Sequence, residues 1–197
     1  LLARAEVVTR FFEVRRVAFL VADSRRPPAT VWIRPCGGSV SAMAFSDFLI
    51  DGLSRSRERF DRALSGVTVK QANTQPTPKK APRVDSLSWL AWHTAREIDF
   101  QIAPLAGVEP VWITGRHKER FALDLPDDTE DWRHTPEQAA KVVVGDISVL
   151  TAYLDDAYAM AAGYLRAVGE DDVDAVVDDS WDPPVTLAAR LVSIVDD

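Results

Sequence analysis

Between Phe45 and Leu64 apolar residues return at three- and four-residue steps: Phe45, Phe48, Leu49, Leu53, Phe60 and Leu64. That spacing predicts one face of an amphipathic helix. The intervening SRSRERFDR is its solvated side, with Arg and acids placed for local pairing, and Gly66 suits a helix stop. Residues 68–84, TVKQANTQPTPKKAPRV, carry three prolines and no periodic face, and predict a linker. Asp85 or Ser86 then caps a second helix, expected to run to about Ala103 and to stop before Pro104. Residues 104–134 predict a long irregular connection, uncommon in a compact domain and often functional. HTPEQAAKVV opens a short helix with Thr135 as cap, Pro136 at the first helical position and Glu137 in the first turn.

A third long helix is expected from about Asp146 to Val168. Its face is Ile147, Leu150, Tyr153/Leu154, Ala157/Tyr158, Ala161, Tyr164/Leu165 and Val168. After the acidic GEDDVDAVVDD, read as a solvated turn, Thr186 caps a last helix that turns Leu187, Leu191, Ile194 and Val195 inward. The chain stops within this helix, so the domain looks truncated there. Four principal helices, one long crossover between the second and third, and no strand-alternating run predict an all-α four-helix bundle.

Composition narrows the setting. The chain has 197 residues, 47% hydrophobic and 27% charged, enough for one well-buried domain. Its longest apolar runs fall well short of the about 20 residues a membrane-spanning helix needs. A net charge of -7 argues against a general nucleic-acid surface. Residues 1–42 hold seven Arg and three acids (Glu6, Glu13, Asp23), hence +4, leaving -11 for the remainder. They read as a basic extension outside the domain, or as upstream sequence from a misplaced start, and the bundle as residues 43–197. The single Cys36 excludes an internal disulfide and points to a reducing, cytoplasmic setting.

The chemistry concentrates in SWLAWHTAREIDF, residues 88–100. At about 100° per residue, His93 projects from the border of the apolar stripe formed by Leu87, Ala91 and Ile98. Trp89 and Phe100 flank it, and Glu97 follows one turn on. A neutral imidazole there suits zinc, nickel or iron, but a packed boundary histidine has the same signature. His117, in the basic GRHKER, is expected to be exposed, and His134 to flank the Thr135 cap. Tyr153, Tyr158 and Tyr164 are expected to be core and boundary packing. Phosphate loops, nucleophile elbows and dinucleotide glycine patterns are absent from the sequence.

Four segments together carry a resemblance: FLIDGLSRSRERFDRALSGVT, SLSWLAWHTAREID, HTPEQAAKVV and YLRAVGEDDVDAVVDDSWDPPVTLAARLVSIVDD. From Met43 to Asp197 the chain resembles the DinB-like four-helix bundles, and more narrowly the actinobacterial branch related to mycothiol-dependent maleylpyruvate isomerase. The resemblance implies a divalent-metal site, usually zinc or nickel, that activates a low-molecular-weight thiol such as mycothiol for transfer to, or isomerisation of, an electrophilic substrate. His93 matches the ligand of the second helix; of the two paired ligand positions on the last helix, either both lie past the chain end, as the inward direction of Leu187, Leu191, Ile194 and Val195 implies, or Asp197 occupies the first and only its partner lies beyond. Glu97 is expected as a supporting carboxylate, Arg96 as the holder of an anionic substrate group, and Trp89 as a pocket wall. Homodimers are a further implication. The alternatives are a binding or dimerisation bundle with an incomplete metal site, and a metal-free small-molecule binder using Trp89, Trp92 and Phe100.

Overall fold

The computed structural model describes residues 45–75, 85–126, 129 and 133–196. These all lie in the unit Ala42–Asp197, and the expectations for residues 1–42, Cys36 and Asp197 fall outside the described residues.

Helix α1 runs Phe45–Leu64, the span its apolar period predicts. Leu49, Leu53 and Leu64 are buried, but Phe48 is 67% exposed. Phe48 precedes Leu49 by about 100° of helical turn, which carries it off the inner face. Asp51–Arg55, Arg57–Asp61 and Glu58–Arg62 form the expected one-turn ion pairs on the outer side. Gly66, at φ +72, takes the left-handed conformation that ends the helix segment.

The linker predicted over residues 68–84 contains a helical turn. Helix α2, Val69–Ala72, is held by a capping box in which Thr68 and Gln71 satisfy each other's backbone N–H groups. Asn73 follows and ties three segments together. Its Oδ1 accepts from Ser88 Oγ (2.6 Å) and Val144 N (3.0 Å), and its Nδ2 donates to Val144 O (2.9 Å).

Helix α3, Leu87–Ala106, begins at the Ser86 cap and continues through Pro104 rather than stopping before it. Proline in the last turn forfeits a single hydrogen bond, and the actual stop is Gly107 at φ +66, whose N–H closes on Ala103 and Pro104 carbonyls. The long connection is also less irregular than its sequence suggests. It holds α4 (Val111–Thr114), α5 (His117–Phe121) and α6 (Pro136–Ala139), the last with the Thr135 cap and Pro136 start expected of it. Helix α7, Ile147–Leu165, starts from the Asp146 cap and ends three residues before the predicted Val168.

A strand pair corrects the expectation of a chain without strands. β1 (Val176–Asp178) and β2 (Val185–Thr186) form a small antiparallel ladder, irregular between Val176 and Asp178, that leads into α8, Leu187–Asp196. The Thr186 hydroxyl caps α8 by accepting from Ala189 N at 3.3 Å.

The four long helices α1, α3, α7 and α8 make the bundle, so the predicted architecture holds. The most extensive packing is α3 on α7. On these two helices Ala91, Ala95, Ala157 and Ala161 are wholly buried in the same core as Ile98, Leu150 and Leu154, and small residues of this kind let helix backbones approach closely. α1 packs on α7, and α8 on α1 and α3. No helix among the described residues is long and apolar enough to cross a membrane.

Candidate functional site: an arginine recess beside an aromatic and histidine array

The buried arc of α3 is wider than its apolar stripe. Ser88, Trp92, Thr94, Arg96 and Asp99 are buried alongside Ala91, Ala95 and Ile98. Trp92, Arg96 and Asp99 stand four and three residues apart, which places an arginine and an aspartate on one face with a tryptophan. The remaining arc holds Trp89, His93 and Glu97, half-buried, and Leu90 and Phe100, exposed. His93 is half-buried, at the border of the inner face where its helical angle puts it. Its ring stacks on Trp89 at 4.4 Å between centroids and 15° between planes. Glu97 accepts from Gln101 Nε2 at 2.6 Å.

His134 does more than flank a cap. Trp89 Nε1 donates to its Nδ1 at 3.2 Å, so the ring proton resides on Nε2, which lies 2.7 Å from Thr129 Oγ1. The same ring stacks on Trp92, 5.6 Å between centroids at 16°. His93 and His134 thus share Trp89 as a partner. Asp85 lies within electrostatic reach of both, although burial dominates and pushes its carboxyl above the ordinary range.

Beyond Trp92 lies a recess of about 160 Å³, walled by Trp92, Trp112, Leu123, Leu125 and Pro126, with Arg96 and Thr129 supplying polar groups. Lys118 and Glu119 stand in the same lining. Arg96 is only 4% exposed. Its guanidinium carbon sits 4.1 Å from the Phe100 ring centroid, 5.3 Å from Trp92 and 5.4 Å from Trp112. Three aromatic faces hold the cation by quadrupole attraction. Its one hydrogen bond among the described residues is long, Nη2 to the Thr129 carbonyl at 3.5 Å. Arg96 Nε, Trp92 Nε1 and Trp112 Nε1 are buried without an acceptor among the described residues. These three buried N–H groups therefore go unmatched, an arrangement that is unfavourable until something supplies oxygen atoms.

Asp99 is the buried acid that Arg96 senses, but its oxygens are already engaged. Oδ1 accepts from Val111 N (2.8 Å), and Oδ2 from Trp112 N (2.8 Å) and Tyr153 Oη (3.0 Å). It thereby caps α4 from across the bundle and fixes Trp112 against the recess. Burial pushes its carboxyl above the ordinary range, opposed by those hydrogen bonds and by Arg96.

The expectation of an exposed His117 is overturned: it is wholly buried, with its ring 4.8 Å from that of Tyr153. Nε2 meets Asp156 Oδ2 at 2.8 Å. GRHKER reads as basic and solvated, but Arg116 adopts φ +56 and turns the histidine under α5. Gly115 makes room, since a Cβ there would stand 2.6 Å from His117 Nε2. Tyr153 and Tyr158 are buried and Tyr164 half-buried, as expected of packing residues.

The donor set implied by the resemblance is not assembled among the described residues, where no group of three His, Cys, Asp or Glu could hold a metal ion. His117 faces Asp156, both ring nitrogens of His134 are hydrogen-bonded, and His93 stacks on Trp89. Asp197 lies outside the described residues. These groups alone do not fit a zinc or nickel centre.

Comparisons place the fold. The chain is similar to a solved structure described as the conserved protein of locus from Enterococcus faecalis, with 46% identity, a TM-score of 0.72, and coverage of 79% of this chain and 89% of that one. No curated protein matches. Neither finding reaches the narrower mycothiol-dependent branch. Residues 53–195 match the DinB superfamily, and with its four-helix architecture the chain belongs to that superfamily.

Proposed function

We propose that this bundle binds a small molecule through an anionic group held by Arg96. The observation that carries the reading is a nearly buried guanidinium, clamped by three aromatic rings, that lines a recess and whose Nε has no acceptor among the described residues. Buried cations are normally paired, because removal from water is costly. Asp99 offsets part of the charge from a distance while its oxygens serve Val111, Trp112 and Tyr153. A bound anion would complete the coordination of Arg96 with charge-assisted hydrogen bonds. The test is thermal unfolding of the chain with millimolar acetate, benzoate or phosphate against chloride at equal ionic strength. A ligand that binds only the folded state raises the midpoint. We expect a rise with at least one anion that is lost in Arg96→Gln; no rise with any of them rejects the reading.

The half-buried His93, stacked on Trp89 and sensed by Asp85, favours a second reading. In it, the chain performs the thiol-dependent transfer or isomerisation that the sequence resemblance implies, and the Arg96 ligand is its substrate. Elemental analysis of the protein and of His93→Ala separates this from plain binding. About one equivalent of zinc or nickel, lost in the variant, supports it; no metal after loading rejects it.

A further inference from the structure

Resting on the Arg96 reading, we infer that the recess takes a single-ring aromatic carboxylate, its carboxylate on the Arg96 guanidinium and its ring against the indoles of Trp92 and Trp112. Size sets the first limit. A volume of about 160 Å³ is close to the ~150 Å³ cavity that accommodates one benzene molecule, so a single ring fills the recess. The walls set the second. Trp92 and Trp112 meet edge to face, with 6.4 Å between centroids at 71°, and Leu123, Leu125 and Pro126 complete an apolar lining. A flat ring fits such a lining by adding one more edge-to-face contact to the cluster, a geometry that aromatic pairs prefer.

Polarity sets the third. Arg96 Nε is buried without an acceptor among the described residues, as are the N–H groups of the two indoles whose centroids lie 5.3 and 5.4 Å from the guanidinium carbon, so a carboxylate here meets a neighbourhood with donors to spare. A planar carboxylate matches a planar guanidinium through two parallel hydrogen bonds, whereas a neutral amide of the same shape would bring donors to a wall already in excess of them. A compact tetrahedral anion could use Arg96 but would leave the aromatic walls uncovered.

Calorimetric titration of the full chain at pH 7 with benzoate, acetate, benzamide and phosphate tests this. The Trp92 and Trp112 indole N–H resonances, assigned by Trp→Phe replacement, are followed in parallel. Benzoate is expected to bind about tenfold or more tightly than either acetate, which lacks the ring, or benzamide, which lacks the charge. Both indole resonances should move, and Arg96→Lys should weaken benzoate by about tenfold, because an ammonium cannot reproduce the planar fork. Benzoate no tighter than acetate, or weaker than phosphate, overturns the aromatic-acid assignment while leaving Arg96 as an anion site. No binding by any of the three anions, or binding that moves neither indole, overturns both. The benzamide comparison and the indole shifts use wild-type protein and stand even where Arg96→Lys fails to fold.

Discussion

Asp99 is wholly buried in a position where an aspartate is costly, and it is kept there by three donors from two other segments. An asparagine would turn its NH₂ toward at least one of those donors, so Asp99→Asn is expected to cost about 2 kcal/mol. The pH dependence has a definite sign. A carboxyl raised by burial contributes stability that is complete below its unfolded value, near about 3.9, and is lost as pH rises through its folded value. Denaturant unfolding at several pH values should therefore show the gap between wild type and variant narrowing as pH increases above about 4. A widening gap would contradict the burial argument. Gly115 makes a complementary case, because its need is for space rather than for an unusual backbone angle. A methyl group there meets the His117 ring at 2.6 Å and the Val111 carbonyl at 2.8 Å. Gly115→Ala should cost about 2 kcal/mol in chemical denaturation. Adding His117→Ala should recover only part of it, since the carbonyl remains; complete recovery would show that the ring alone sets the constraint.

Helix by helix, legibility followed the length of the signal. α1 matches its predicted bounds because a sustained apolar period and a following glycine agree. α2 was lost inside a proline-rich stretch, where a capping box of four residues is a short signal without a periodic face. Neither α4 nor α5 is capped by the side chain of its own first flanking residue, Pro110 or Arg116, and α5 is entered and left through Arg116 and Ala122 in left-handed conformations that nothing in their residue types announces. α3 could be read as a helix but not fully as a site. Its apolar stripe puts His93 at the border of the buried face, whereas the Trp92, Arg96 and Asp99 spacing, visible in the sequence, belongs to the chemically richer face. The Ser86 hydroxyl accepts from Trp89 N at 3.1 Å and starts that helix beside the histidine array. Ser86→Ala is expected to lower stability by about 1 kcal/mol. Because Ser86 is not in the recess lining and precedes Trp92 and Arg96 along α3, benzoate affinity should be unchanged, and a large affinity loss would show that the cap positions the recess.

Across the whole molecule, the bundle was legible and the site was not, for one physical reason. A four-helix core is specified by periodic burial, here the alanine-lined seam between α3 and α7, and many residues report the same answer. The recess is specified by single residues from α3, α4, α5 and the chain beyond α5, brought together only when the crossover folds onto α7. Leu154 belongs to the seam and is wholly buried. Leu154→Ala should cost about 2–5 kcal/mol through lost burial and the cavity left behind. A loss below 1 kcal/mol would indicate that the helices close over the gap. The claim that connects these scales is that the fold buries Arg96 to hold an anion. A crystal structure of the protein grown with benzoate tests it most directly. The account predicts a carboxylate within hydrogen-bond distance of the Arg96 guanidinium and a ring in the recess walled by Trp92 and Trp112; Arg96 turned out to solvent, or benzoate found only elsewhere, would contradict it.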